Sequence, residues 1–171
     1  MWGRKRKLPA ELSSALDRDE RVLAWAEAGD GAAVATNRGL WLPGKARIGW
    51  HEIHKATWGE GRLTVVPAEF TPGEDFGVAA DLVPVSVTLR DPGDLPKRVR
   101  DRVTASVAYS TRHPLPGGGA ARVVGRRVPG RDGLSWSVRY EDGADATDPF
   151  VHAATEELVA DAKASLAQPD D

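Results

Sequence analysis

Apolar and polar positions alternate in short runs along the first half of the chain, a pattern that is typical of β-strands. In the segment 21–28, valine and alanine occupy the even positions, whereas Leu23 and Trp25 lie on the opposite face. The turn Gly29-Asp30-Gly31 and the apolar segment 32–36 follow, so the pattern predicts a β-hairpin. Further short strands are predicted at segments 40–42, 47–50, 55–58, 62–66 and 85–89.

Three stretches have the spacing of an amphipathic helix instead. The first is short and begins at Pro9, with Leu8, Leu12 and Leu16 on one side. The second is predicted over 95–109, and the third begins at Asp148-Pro149, an N-cap residue followed by proline at the first helical position. Their apolar stripes are Leu95, Val99, Val103 and Val107 in the second helix, and Val151, Ala154, Leu158, Ala162 and Leu166 in the third.

The order of these elements predicts an α+β fold that is mainly β. Residues 1–19 are expected to form a basic tail and a short helix, and residues 20–110 a small antiparallel β-barrel capped by the second helix. Residues 67–83 are predicted to be irregular, and 111–119 to be a linker. Residues 120–166 are predicted to form a ββα extension, which is marginal alone. We therefore expect it to dock on the barrel, so that the chain forms one structural domain.

Residues 20–110 contain three characteristic local phrases. They are Thr36-Asn37-Arg38 before an apolar strand, Arg47-Ile48-Gly49-Trp50 with Ile53 after it, and the turn and strand 61–65. These phrases resemble those of bacterial pleckstrin-homology-like (PH-like) domains. The resemblance implies a small antiparallel barrel capped by a helix. Eukaryotic members of this superfold bind phosphoinositides through basic residues in the loop between the first two strands. Here that loop is Gly29-Asp30-Gly31, which is short and acidic, so the resemblance does not predict headgroup binding there.

The composition narrows the chemistry that the chain can perform. It has no cysteine, which excludes disulfides, cysteine nucleophiles and thiolate metal sites and agrees with a reducing compartment. No apolar run approaches the roughly 20 residues that a membrane-spanning helix needs. We therefore expect a cytoplasmic protein.

Three segments approach known catalytic motifs without completing them. His51-Glu52-Ile53-His54 is one residue shorter than a zinc-binding HExxH motif, and on a strand its histidines point to opposite faces. Gly133-Leu134-Ser135-Trp136-Ser137 lacks the last glycine of a nucleophile elbow. Gly117-Gly118-Gly119 lacks the lysine of a phosphate-binding loop. The sequence therefore predicts a non-enzymatic protein without a metal or a cofactor.

The net charge of −2 conceals a strong asymmetry along the chain. Residues 90–131 contain ten basic and three acidic residues, whereas residues 132–171 contain ten acidic and two basic ones. Two interpretations remain open: the segments pack together and neutralise each other, or the basic segment forms a binding face.

The candidate binding surface combines the N-terminal cluster with the solvent side of the second helix. It comprises Trp2, Arg4, Lys5, Arg6, Lys7, Lys97, Arg98, Arg100 and Arg102. Our leading hypothesis is a module that binds a protein partner through a groove or an edge strand of the barrel. The alternative is weak peripheral binding to an anionic membrane or a nucleic acid through the basic N-terminus. A third hypothesis is a small-molecule pocket between the barrel and the extension.

Overall fold

The computed structural model describes residues 7–167, which form a mainly β structure with three α-helices. The helices are α1 (Ala10–Ser13), α2 (Leu95–Ser106) and α3 (Pro149–Ala167), and a 3-10 turn spans Trp50–Glu52. The first six strands are β1 (Val22–Ala28), β2 (Gly31–Thr36), β3 (Gly39–Trp41), β4 (Ile48–Gly49), β5 (Ile53–Gly59) and β6 (Arg62–Thr71). The remaining strands are β7 (Gly77–Asp81), β8 (Val85–Arg90), β9 (Val107–Pro114), β10 (Ala120–Arg127) and β11 (Leu134–Glu141).

Seven strands and helix α2 surround a first hydrophobic core. These strands pair in the order β5–β6–β8–β1–β2–β3–β4, and the described pairs among them are antiparallel. Ala26, Ala33 and Ala35 line the inner face of the β1–β2 hairpin and are fully buried. Their small side chains leave room for Leu95 and Val99 of α2, which are also fully buried. The apolar side chains that recur every four positions along α2 therefore face this core.

The predicted small barrel is wrong in one respect, because its sheet is open and does not close into a ring. Among residues 7–167, strands β4 and β5 do not pair with each other. Strand β4 has only two residues, and the 3-10 turn Trp50–Glu52 separates it from β5. The two strands consequently cannot form the ladder that would complete a ring.

A second hydrophobic core lies under helix α3, on a sheet ordered β7–β11–β10–β9. Strand β7 joins this sheet through a parallel pair with β11, and it also pairs with the second half of β6. Residues 67–83, predicted to be irregular, therefore contain the end of β6 and all of β7. The predicted linker 111–119 likewise begins inside strand β9, and helix α2 ends at Ser106 instead of residue 109. The extension is thus more than a ββα unit.

Helix α3 begins where the sequence predicts, because the Asp148 Oδ1 atom accepts a hydrogen bond from the Phe150 backbone N–H at 2.9 Å. Its buried side chains are Val151, Thr155, Val159 and Ala162. The predicted stripe is wrong at its last position, since Leu166 is 50% exposed. The Thr155 hydroxyl can be buried because it donates to the Val151 carbonyl and accepts from the Tyr140 hydroxyl.

Candidate functional site

A buried carboxylate fixes the N-terminal segment to the first sheet. The side chain of Glu20 is fully buried, and it accepts hydrogen bonds from the Thr36 hydroxyl at 2.6 Å and the Trp41 indole at 2.9 Å. The Asp17 backbone N–H and the Arg47 guanidinium donate to its other oxygen. Burial alone would raise the pKa of Glu20, but these donors and the charge of Arg47 outweigh burial and hold the pKa below its ordinary value.

The phrase 36–38 that carries the family resemblance belongs to the same network. Asn37 Oδ1 accepts from the Arg21 backbone N–H, and Arg38 forms an ion pair with Asp19. Arg47 also binds Asp17 at 2.8 Å, and its guanidinium lies 5.7 Å from the centre of the Trp41 ring. The residues of this phrase therefore hold the segment before β1 against β2 and β3.

Beside this anchor lies a large cavity, which we call the α1 cavity. Its volume is about 1010 Å³, and it opens between helix α1, the β1–β2 hairpin and strand β8. Most of its walls are apolar, and they include Leu12, Leu16, Val34, Trp41, Leu42 and Val87. Helix α1 has a single turn and no buried residue, so it covers this sheet face only loosely. Concave, mainly apolar sites of this size commonly serve as binding sites.

The predicted binding surface is only partly within the described residues. Trp2, Arg4, Lys5 and Arg6 lie outside them, and Lys7 is exposed at their start. On helix α2, Lys97 pairs with Asp101 at 2.7 Å and Arg98 pairs with Asp94 at 3.2 Å. Arg100 and Arg102 have no carboxylate within 4.0 Å in the range 7–167. Half of the predicted helical cations are therefore already neutralised by neighbours one turn away.

The basic and acidic halves of the C-terminal sequence do contact each other. Arg112 on strand β9 binds Glu141 and Asp142, and Arg122 on β10 binds Glu141 at 2.8 Å. These pairs support the interpretation in which the two segments neutralise each other. They account for only two of the ten basic residues in the segment 90–131.

Two arginines that the sequence analysis did not single out join the two cores. Arg126 is 8% exposed and donates from Nη1 to the Ser106 hydroxyl at 2.8 Å. Arg127 donates to the carbonyls of Ala105 and Val107, at the end of helix α2. The negative end of the helix dipole stabilises both cations. No carboxylate of the described chain lies within 4.0 Å of Arg126. In the sequence, an arginine within a predicted strand gives no indication that it contacts the end of a helix.

The segments that approach catalytic motifs have structural positions. His51 lies in the 3-10 turn and not in a strand, and its Nε2 is 3.3 Å from Glu52. His54 on β5 contacts Asp81, which also accepts from Arg139 on β11 at 2.6 Å. Within residues 7–167, no group of three metal-ligating side chains comes together. Ser135 and Ser137 lie in strand β11, and residues 117–119 form the turn before β10.

No family model matches the chain, and neither the curated proteins nor the solved structures give a significant match. None of the helices within residues 7–167 is both long and apolar enough to cross a membrane.

Proposed function

We propose that this protein is a non-enzymatic interaction module that binds a protein partner through the α1 cavity. The observation that carries the proposal is the cavity itself, a concave apolar surface of about 1010 Å³ beside a loosely packed one-turn helix. Transfer of a partner's apolar side chains from water into such a site lowers the free energy. Ser86, Thr88 and Lys45 at its walls can supply the polar contacts that fix orientation.

We further propose that the unit around the first core is PH-like. Its support is a set of seven strands, β1–β6 and β8, followed along the chain by one helix that packs on them, with strand order β5–β6–β8–β1–β2–β3–β4. The motif residues 36–38 also have a definite role there, since they bind the segment before β1. A cytoplasmic location is part of the proposal and is supported by the absence of cysteine from the sequence.

Two alanines of the same segment provide a matched test of partner binding. Ala15 lines the α1 cavity, whereas Ala10 lies on helix α1 and does not, and both are exposed. We expect Ala15→Glu to weaken partner binding at least about tenfold, because it places a charge against an apolar interface. Ala10→Glu adds the same charge and is expected to bind like the unchanged protein.

The partner is first recovered with the full chain as bait from the native host, and its affinity for each variant is then measured by calorimetry. Equal affinities for the unchanged chain and both variants would show that the cavity is not the binding site. Turnover of a metabolite by the purified protein would replace the proposal with an enzymatic function.

A further inference from the structure

A second, polar cleft lies between the first sheet and the loop that follows strand β10. Its volume is about 320 Å³, and its charged lining residues are Arg38, Arg47, Glu52 and Arg131, with His51 beside them. Val128 and Pro129 form the opposite wall. The cleft thus combines residues from both parts of the chain and is separate from the α1 cavity. We call it the arginine cleft.

Three of the four charged side chains that line the arginine cleft are arginines, and the carboxylates that pair with Arg38 and Arg47 are not among its lining residues. The only carboxylate among the lining residues is that of Glu52, whose Oε1 lies 3.3 Å from His51 Nε2. Arg131 is exposed and has no carboxylate within 4.0 Å in the described part of the chain. A small concave site with several cations concentrates positive potential, which attracts anions.

Two of these arginines are held in place from outside the cleft. Arg47 directs its Nη1 to Asp17 and Glu20, and Arg38 directs its Nη2 to Asp19. Neither Nε atom is engaged in a hydrogen bond within residues 7–167. Donors therefore remain free on guanidinium groups whose positions are already fixed, so that binding costs less conformational entropy.

The ring of His51 forms part of the wall of the arginine cleft. Its ring packs against Gly49, where an added Cβ would lie 2.6 Å from the ring. Its Nδ1 atom is buried and has no hydrogen-bond partner. Burial lowers the pKa of His51, Glu52 opposes this effect, and the charges of Arg126 and Arg131 lower the pKa further. Burial is the largest of these effects, so the ring favours its neutral form and a bound anion would favour its charged form.

We propose that the arginine cleft binds the phosphate group of a small solute, as free phosphate or as a phosphomonoester. The planar guanidinium fork matches the oxygen geometry of phosphate, and charge-assisted hydrogen bonds are the stronger class. A cleft of about 320 Å³ accommodates a phosphate with a small substituent. This proposal does not depend on partner binding at the α1 cavity.

The test follows the imidazole signal of His51 by NMR, assigned from its loss in His51→Gln, while inorganic phosphate or glycerol phosphate is added at constant ionic strength. We expect a saturable shift and a rise in the pKa of His51, because a bound anion favours the protonated ring. The compound that binds more tightly identifies the ligand as an ester or as free phosphate.

Two charge-matched variants decide whether the cleft is responsible. Arg131→Glu is expected to weaken phosphate binding at least about tenfold, since it replaces an unpaired cation by an anion. Arg62→Glu makes the same charge change at an exposed position of strand β6, outside the cleft, and is expected to leave binding unchanged. Shifts that do not saturate, or equal losses in both variants, would overturn the proposal and leave only general screening of a basic protein.

Discussion

Replacing Glu20 with alanine is expected to lower the free energy of unfolding by about 3 kcal/mol. The fully buried carboxylate is the common acceptor for the Thr36 hydroxyl, the Trp41 indole and the Arg47 guanidinium. Removing it leaves the Trp41 indole without its acceptor and Thr36 with only the longer bond to the Gly39 carbonyl, whereas Arg47 keeps Asp17. A buried donor without an acceptor costs more than the hydrogen bond itself contributes. In a chain of this length the melting temperature should fall by roughly 6–12 °C. Glu11→Ala, on the exposed side of α1, is the control and should stay within about 0.5 kcal/mol.

The same carboxylate makes the stability depend on pH. Its pKa is lower in the folded protein than in the unfolded chain, so its contribution is complete above the unfolded value of about 4.5. The contribution is lost as the pH falls through the lower, folded pKa. Urea denaturation between pH 7 and pH 3 measures this loss, and Glu20→Gln should show a smaller acid dependence. An unchanged acid dependence in that variant would contradict the assignment.

Gly119→Ala is expected to destabilise the second core by about 3 kcal/mol. Gly119 has a φ of +73°, and an added Cβ would lie 2.5 Å from the Ala144 backbone nitrogen. The substitution therefore forces a residue with a side chain into the left-handed region. It also brings the added Cβ into collision with backbone atoms, which cannot move aside by a side-chain rotation. Gly117→Ala is the matched control, because its φ is +86° and no atom lies within 4 Å of the added Cβ.

The two alanine variants separate strain from collision. Gly117→Ala should cost about 1 kcal/mol, which is the strain alone. Equilibrium unfolding in urea measures both values. If Gly119→Ala costs no more than Gly117→Ala, the turns before β10 and before α3 are not in the close contact described.

Sequence reasoning succeeded where the deciding contacts are local. The turn Gly29-Asp30-Gly31 connects β1 to β2, and Gly29 has the positive φ of +57° that glycine adopts readily. The start of α3 depends on Asp148 and Pro149, which are adjacent. Both elements depend on neighbouring residues, so the pattern contained the necessary information.

It failed where a strand depends on a distant partner. Strand β7 pairs with β11, about sixty residues later, through Val78 and Val138. Its own sequence, Gly-Val-Ala-Ala-Asp, contains only one residue that favours strands. Val107 satisfied both the helical spacing and the alternation of β9, and the sequence alone could not place the boundary. The arginine cleft could not be predicted from the sequence for a related reason, since Arg38 and Arg131 are brought together only by the fold.

Strand β6 couples the two hydrophobic cores mechanically. Its first half pairs with β5 and β8, and its second half pairs with β7. Pro67, which has no backbone N–H to donate, lies between these halves. A mechanical force on one sheet is therefore transmitted to the other through the backbone of β6. From there it passes through the short β7–β11 pair. Because β6 belongs to both sets of strand pairs, a force that displaces it is expected to disturb both cores together.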